Sequence, residues 1–441
     1  MTTNNTPSQK KTVLLMAPVI SRSGYGEHAR LVYESLLQKK KYLNIRVWLS
    51  NWGQTPNDVT YFDKYPDLKE HVISSEETNA LSYDVGIWLG VPNEFPRPQS
   101  ANRAYLVGIT AGIETDIIDD SWAEIPTVYN KICVVSDHAK KGFINHAVRK
   151  KTGFEDLYKE RIQVIPYPVK NFHLKESDHI LEQMDISTSF NFLSVAQMGP
   201  RKNIETLVRA FVEQFHDNKD VGLILKSNIV NNSRINKEQC LSYLSGLLTA
   251  YPNRECKIHH IHGNLTEEEL HSLYVSDRVN AYITTTHGEG YGLPIFEAAY
   301  SGLPVIAPAW SGHCDFLYAP KTNDTSGRTK KAPYFTKIKY TLDTVHPSVV
   351  WKNLITPESK WANCDPEDVK KKMKEFFNKN NTDKDTLDKK NARLLKEYLV
   401  ENFTKEKILD MYQENIVGVL DLVKNGQEIE EWDNFLSEMI E

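Results

Sequence analysis

Cysteine is scarce in this chain and unpatterned. Five occur in 441 residues (Cys133, Cys240, Cys256, Cys314 and Cys364), and no two form a C-x-x-C pair. An odd, scattered set argues against a disulfide framework or a cysteine zinc site and reads as reduced thiols. Long apolar runs are missing as well. None approaches the roughly twenty residues that cross a bilayer, and the opening MTTNNTPSQKK lacks the apolar stretch of a secretory signal. The expectation is a cytoplasmic protein. Charge of one sign is also lacking: the net charge is −5, so the overall balance demands no polyanionic partner, although a local basic patch could still bind one. No solenoid-length repeat is present.

What remains is an ordinary globular composition, 40% apolar and 25% charged. The length exceeds what one core usually supports, so two domains are expected. Short apolar strands at Thr12–Pro18, Ile45–Leu49, Asp84–Leu89, Ala104–Ile109 and Lys131–Val135 alternate with helical patterns such as EHARLVYESLLQ. That alternation predicts a parallel sheet covered on both faces. The proline-bearing QVIPYPV and the polar stretch after it mark a boundary near residue 175. A second series follows, with strands at Phe190–Ala196, Val221–Lys226, Ile258–His262, Ala281–Thr285 and Val305–Ala307, and a helix at Ile204–Phe215. The reading is an N-terminal Rossmann-like domain over 1–175 and a C-terminal one over 176–404. Lys321–Lys360 shows no period and reads as a long loop or insertion. The tail beyond Pro366 reads as charged helix.

The segment Thr284–Leu317, TTTHGEGYGLPIFEAAYSGLPVIAPAWSGHCDFL, is the most informative. It reads as strand, glycine loop (Gly288, Gly290, Gly292), helix with Pro294 in its first turn and Gly302 at its end, then strand. Loop amides and a helix N-terminus make a site for an anionic diphosphate. Two carboxylates bracket it. Beside a phosphate they would repel, so Glu289 and Glu297 are expected to accept hydrogen bonds from sugar hydroxyls. Taken alone, Glu297 could equally be a helix-start acid that favours the dipole.

These residues closely resemble the E-x7-E signature of glycosyltransferase family 4, the retaining family with the two-domain GT-B fold. Glu289 and Glu297 stand at its two glutamates, and GYGLP and EAAYSGLPVIA match its usual wording. The resemblance implies that Glu289 faces the transferred sugar, Glu297 the nucleotide ribose, and Gly290, Tyr291, Gly292 and Leu293 the donor. SVAQMGPRKNIETLVRAF at Ser194–Phe211 is a second match. It implies that Lys202, with Arg201, neutralises the leaving diphosphate. Gln197 stands where many members carry arginine, and Lys226 is a further donor-side candidate. The resemblance also implies a helix from about Lys405 that returns to the first domain, taking in 405–441.

Near the N-terminus, Gly24-Tyr-Gly26-Glu-His-Ala29 fits the dinucleotide pattern G-x-G-x-x-A. The following strand, IRVWLSNW, offers no acidic residue for a ribose, so an NAD site is not expected. Gly24 and Gly26 read as letting backbone approach a bound group, or as a simple tight turn. In Gly108–Asp120 no histidine occurs; a subset of the family shows E-T-D there instead, which places Glu114 on the sugar or acceptor side. His28 and His287 are open to either role, a lone histidine being more often structural than catalytic.

The expected activity is transfer of a sugar from a nucleotide-sugar, UDP by default, to a saccharide or lipid-linked acceptor. No metal or other cofactor is expected, because cations and amides replace it and no D-x-D pair occurs in a suitable loop. A nucleotide-sugar epimerase and a non-catalytic sugar-nucleotide-binding protein share the architecture and stand as alternatives. A third is suggested by Gly327–Thr341 (GRTKKAPYFTKIKYT), where lysines interleave with Tyr334, Phe335 and Tyr340, together with Lys140, Lys141, Arg149, Lys150 and Lys151 in the first domain. Cations track phosphates and aromatics stack bases, a pattern that permits a modified-DNA acceptor.

Overall fold

The computed structural model describes residues 10–53, 55–97, 104–322, 328–382 and 385–418. Two six-stranded parallel sheets dominate it. The first comprises β1 (Lys11–Ala17), β2 (Leu43–Leu49), β3 (Val85–Leu89), β4 (Tyr105–Thr110), β5 (Lys131–Val134) and β6 (Ile162–Val164), in the order β2-β1-β3-β4-β5-β6. Its middle strands VGIWL and YLVGIT are buried at every position, which is why they read as unbroken apolar runs rather than alternating ones. The second sheet comprises β7 (Phe190–Gln197), β8 (Val221–Asn228), β9 (Lys257–Ile261), β10 (Ala281–Ile283) and β11 (Val305–Pro308). With β14 (Thr336–Ile338) they run in the order β14-β11-β10-β7-β8-β9. Every pairing in both sheets is parallel. Two Rossmann-like sheets facing across a cleft are the GT-B architecture.

The described residues of 321–360, read as a long loop or insertion, include short strands. A hairpin of β12 (Tyr318–Thr322) and β13 (Thr329–Pro333) precedes β14, and β15 (Tyr340–Thr344) pairs antiparallel with β16 (Lys360–Cys364). The hairpin strand TKKAP and most of β15 are exposed, so no face is buried to impose an alternation, and β14 is only three residues long. Sequence pattern is silent where burial is.

Helix Lys405–Tyr412 packs on helix Gly24–Leu37 of the first sheet's layer. Tyr412 hydroxyl and His28 Nε2 hydrogen-bond at 2.6 Å, and Lys405 pairs with Glu34 at 2.5 Å. Residues 419–441, part of the expected returning helix, lie outside the described residues. The segment between β15 and β16 straps the two domains together on another side. Asp116 N–H donates to Lys360 O (3.0 Å) and Asp116 Oδ1 accepts from Lys360 N–H (2.6 Å), while Trp122 Nε1 donates to Asn353 O (2.9 Å).

Candidate active site

Each sheet ends toward a shared cleft, a cavity of about 930 Å³ lined from both domains. Three close backbone approaches lie beside it. A Cβ built on Gly288 would stand 2.1 Å from Glu114 O, one on Gly290 2.6 Å from Ala111 O, and one on Gly312 2.0 Å from Gly290 O. Ser136 Oγ adds a bond to Gly290 O at 2.6 Å. Gly288 and Gly290 thus admit carbonyls of the other domain, where sequence had suggested only an anion. Gly292 differs: its φ of 96° is a left-handed turn that starts helix Leu293–Ser301, with Pro294 in the first turn and Gly302 (φ 85°) ending it.

Arg201 and Lys202 lie on a short turn, Pro200–Lys202, which Asn203 (φ 50°) closes ahead of helix Ile204–Phe215. Both reach Glu289: Lys202 Nζ to Oε1 at 2.5 Å and Arg201 Nη1 to Oε2 at 2.9 Å. Arg201 also donates to Gly288 O (2.8 Å), and its Nε lies 3.4 Å from Glu114 Oε1 across the cleft. One guanidinium therefore spans a carboxylate from each domain. Burial raises the Glu289 carboxyl, but the Lys202 and Arg201 charges and their hydrogen bonds outweigh it and hold it at about 2. Arg201 is pushed above its ordinary value, Glu114 and Glu289 overcoming the cost of burial.

Glu297 is the opposite case. It accepts a hydrogen bond from Tyr274 hydroxyl at 2.9 Å, and no cation lies within ion-pair distance among the described residues. Burial raises it to about 7, with Glu27 and Glu267 adding to that and Lys170 opposing it. Glu289 is thus held anionic, while Glu297 titrates near neutral pH.

The remaining candidates divide. Gln197 and Lys226 line the cavity, but both are engaged by backbone: Gln197 donates to Ile229 O (2.6 Å) and Lys226 Nζ to Gly263 O (2.9 Å). Tyr291 and Leu293 also line it, and the Tyr291 ring packs between Tyr167 and Phe316. Gly24 faces Leu293 across the cleft, its Cβ position 3.6 Å from Leu293 Cδ1. Gly26 serves its own turn instead: a Cβ there would stand 2.0 Å from Ser21 O. His28 is wholly buried, and burial lowers it to about 3; His287 bonds Ala362 O (2.7 Å) and stacks on Trp361 at 4.4 Å. Both are structural.

Sequence reasoning missed Lys170, Glu27, Glu267 and Tyr274, all of which line the cavity. Glu27 lay inside the GYGEHA loop already singled out, and Glu267 opens a helix behind a Thr266 capping box. Nothing in the pattern marked Lys170. The aromatics of the basic segment, whose Gly327 lies outside the described residues, do not form an open stacking platform. Tyr334 and Tyr340 hydroxyls donate to Pro320 O and Ala309 O, and Phe335 packs on Tyr318. Arg149 and Lys150 are committed to Asp116 (2.5 Å) and Glu358 (2.8 Å).

Residues 178–322, which carry Arg201, Lys202, Glu289 and Glu297, match the family model described as Glycosyl transferases group 1. The serotype-specific mannosyltransferase WbdA of Escherichia coli is 34% identical over 116 residues, 26% of this chain and 13% of that protein. A sucrose synthase of Melioribacter roseus is 25% identical over 200 residues, 41% of this chain and 24% of its own. The chain therefore spans less than a quarter or so of the curated relatives it matches. Among solved structures, Anabaena HepE in complex with UDP and glucose superposes with a TM-score of 0.57 at 14% identity, covering 92% of this chain and 100% of that one. Sucrose-phosphate synthase of Thermosynechococcus elongatus gives 0.58 at 12%, covering 94% and 100%. At such identities the likeness is one of fold, and the fold is GT-B. Among the described residues no helix is long and apolar enough to cross a membrane.

Proposed function

We propose that this chain is a retaining, metal-independent glycosyltransferase that uses a nucleotide-sugar, UDP-linked by default, and a saccharide or lipid-linked acceptor. The observation that carries the reading is Glu289, buried and anionic between Arg201 and Lys202, at the point where the glycine loop meets the first domain. Two cations that share Glu289, one of them also facing Glu114, are ready to exchange partners. A donor diphosphate seated at the start of helix Leu293–Ser301 would draw Arg201 and Lys202 toward its oxygens and leave Glu289 to accept sugar hydroxyls. The bond from the anomeric carbon to the phosphate oxygen then breaks with its electron pair going to the phosphate. The acceptor oxygen bonds to the carbon from the same face, and its proton passes to a phosphate oxygen. The protein supplies position and fixed charge. The matched family model and the sugar-transferring relatives support the reaction class, and the Anabaena neighbour's complex with UDP and glucose supports a UDP-linked donor.

The test is thermal unfolding with UDP-, GDP-, ADP- and dTDP-sugars, followed by labelled transfer from the sugar that stabilises the chain. Donor consumption without an acceptor would identify an epimerase, and binding without turnover a non-catalytic protein. Transfer to hydroxymethylated duplex DNA that weakens with salt would move the acceptor to nucleic acid. The two signature glutamates should separate in kinetics. Glu297→Gln is expected to raise the donor KM about tenfold with little change in kcat, and Glu289→Gln to lower kcat about tenfold. Matching behaviour of the two variants would contradict the division. Turnover is expected to persist in excess EDTA; loss that a divalent ion restores would overturn the metal-independent scheme.

A further inference from the structure

The segment crossing between the domains places one lysine at the floor of the cleft. Lys170 Nζ lies 2.7 Å from Glu27 Oε1, in the first turn of helix Gly24–Leu37, and 3.3 Å from Glu267 Oε2, in the first turn of helix Glu267–Val275. Glu267 in turn pairs with Lys64 at 3.6 Å. Lys170, Glu27, Glu267 and Glu297 line one cavity, together with Tyr300, one turn beyond Glu297 on the same helix face. Its ion pairs to Glu27 and Glu267 thus hold Lys170 in the cavity that Glu297 lines. The groups around Glu297 are Lys170 on the crossing segment, Glu27 from the first domain, Glu267 and Tyr274 from helix Glu267–Val275, Tyr282 from β10 and Tyr300 on its own helix. Three carboxylates share this floor with Lys170, and Lys64 and Arg30 act on Glu267 from its far side.

We propose that Lys170 is a positioning residue for the donor: its ammonium keeps Glu297 in the charged form that accepts both ribose hydroxyls, so the balance of Glu27, Lys170 and Glu267 sets nucleotide affinity. The inference rests on the reading of Glu297 as the ribose carboxylate. A neutral carboxylic acid cannot accept two hydroxyl hydrogens as a carboxylate does, and carboxylates close together favour protonation of one of them. Lys170 is what opposes that here, and it belongs to neither sheet, so it reports the placement of both domains.

The experiment measures the dissociation constant of whichever nucleoside diphosphate most stabilises the wild-type chain, from pH 5.5 to 9. Wild-type affinity should weaken on acidification through about pH 7, where Glu297 takes up its proton. Lys170→Met removes an attracting charge and should move that midpoint upward by about one unit, weakening binding roughly fivefold at pH 7 and hardly at all at pH 9. Lys170→Arg should restore the wild-type profile. Glu27→Gln removes a repelling charge and should move the midpoint down, the opposite direction, which a merely structural defect would not do. With the 2′,3′-dideoxy form of the same nucleotide, both shifts should vanish. Unmoved midpoints in Lys170→Met and Glu27→Gln, with wild-type binding intact, overturn this inference alone. Absence of nucleotide binding by the wild-type chain overturns the glycosyltransferase reading and this inference with it.

Discussion

Lys202→Ala is expected to lower kcat/KM by about a hundredfold or more, equivalent to roughly 2.7 kcal/mol of transition-state stabilisation. Two distinct losses contribute. In the free protein Lys202 neutralises a buried carboxylate, since Glu289 is 8% and Lys202 15% exposed at the side chain. Removing the ammonium leaves Arg201 to balance Glu289 while also facing Glu114. In the transition state the same ammonium would meet charge developing on the leaving diphosphate, where little water competes for it. The double variant Lys202→Ala/Glu289→Gln separates the two. If Lys202 serves mainly to balance Glu289, removing both charges recovers stability and much of the rate. If it serves the leaving group, thermal stability recovers and kcat does not. Steady-state kinetics with labelled donor, set beside unfolding midpoints, gives the answer. Wild-type kinetics in Lys202→Ala would remove this residue from the site.

Glu289 and Glu297 also show what sequence does and does not carry. Their spacing, the glycines between and before them, and Pro294 were legible because each reflects a local rule: a turn, a helix start, a helix stop. The strands of both sheets were legible because parallel strands buried on both faces are continuous apolar runs. The opposite electrostatics of the two glutamates were not legible. They depend on Arg201 and Lys202, which lie nearly ninety residues from Glu289 in sequence, and on Lys170, contributed by a segment with no periodic signature. The partners of the glycines were hidden for the same reason. A missing side chain announces a close approach but not what approaches, and here it is the carbonyls of Ala111 and Glu114. The strands of 318–364 escaped because their exposed faces impose no alternation. Arg149 and Lys150, read as part of a basic pattern that permits a modified-DNA acceptor, are pinned by acids that only the fold brings near.

A close approach beside the cleft yields the second large expected effect. Gly288 is not at a left-handed φ, so alanine there meets no backbone strain of its own. Its methyl would nevertheless stand 2.1 Å from Glu114 O and 2.9 Å from the Trp310 ring. Real Cβ atoms do not sit so close to a carbonyl oxygen, and a main-chain oxygen cannot swing aside as a side chain would. Either the glycine loop or the first-domain loop must retreat by about an ångström, and both carry residues of the candidate site. A misplacement of that size can cost about a hundredfold in rate, and overpacking of a tight contact costs about 1–3 kcal/mol. Gly288→Ala is therefore expected to lower kcat/KM about a hundredfold and to lower the unfolding midpoint. Gly142→Ala, in helix Asp137–Lys150 and outside the cavity, is the control, because a methyl there meets only Ile113 Cγ2 and Ile118 Cγ2 at an ordinary 3.6 and 3.7 Å; its kcat/KM should stay within about threefold of wild type. The rate loss should fall mainly on kcat, since the shifted loops carry Glu114 and Glu289, and any change in donor KM should be smaller, because the Tyr274–Glu297 hydrogen bond lies within the second domain. A fully active Gly288→Ala enzyme would mean that the two domains do not hold this contact during turnover. Loss of donor binding with kcat preserved would mean that the glycine serves the nucleotide directly instead.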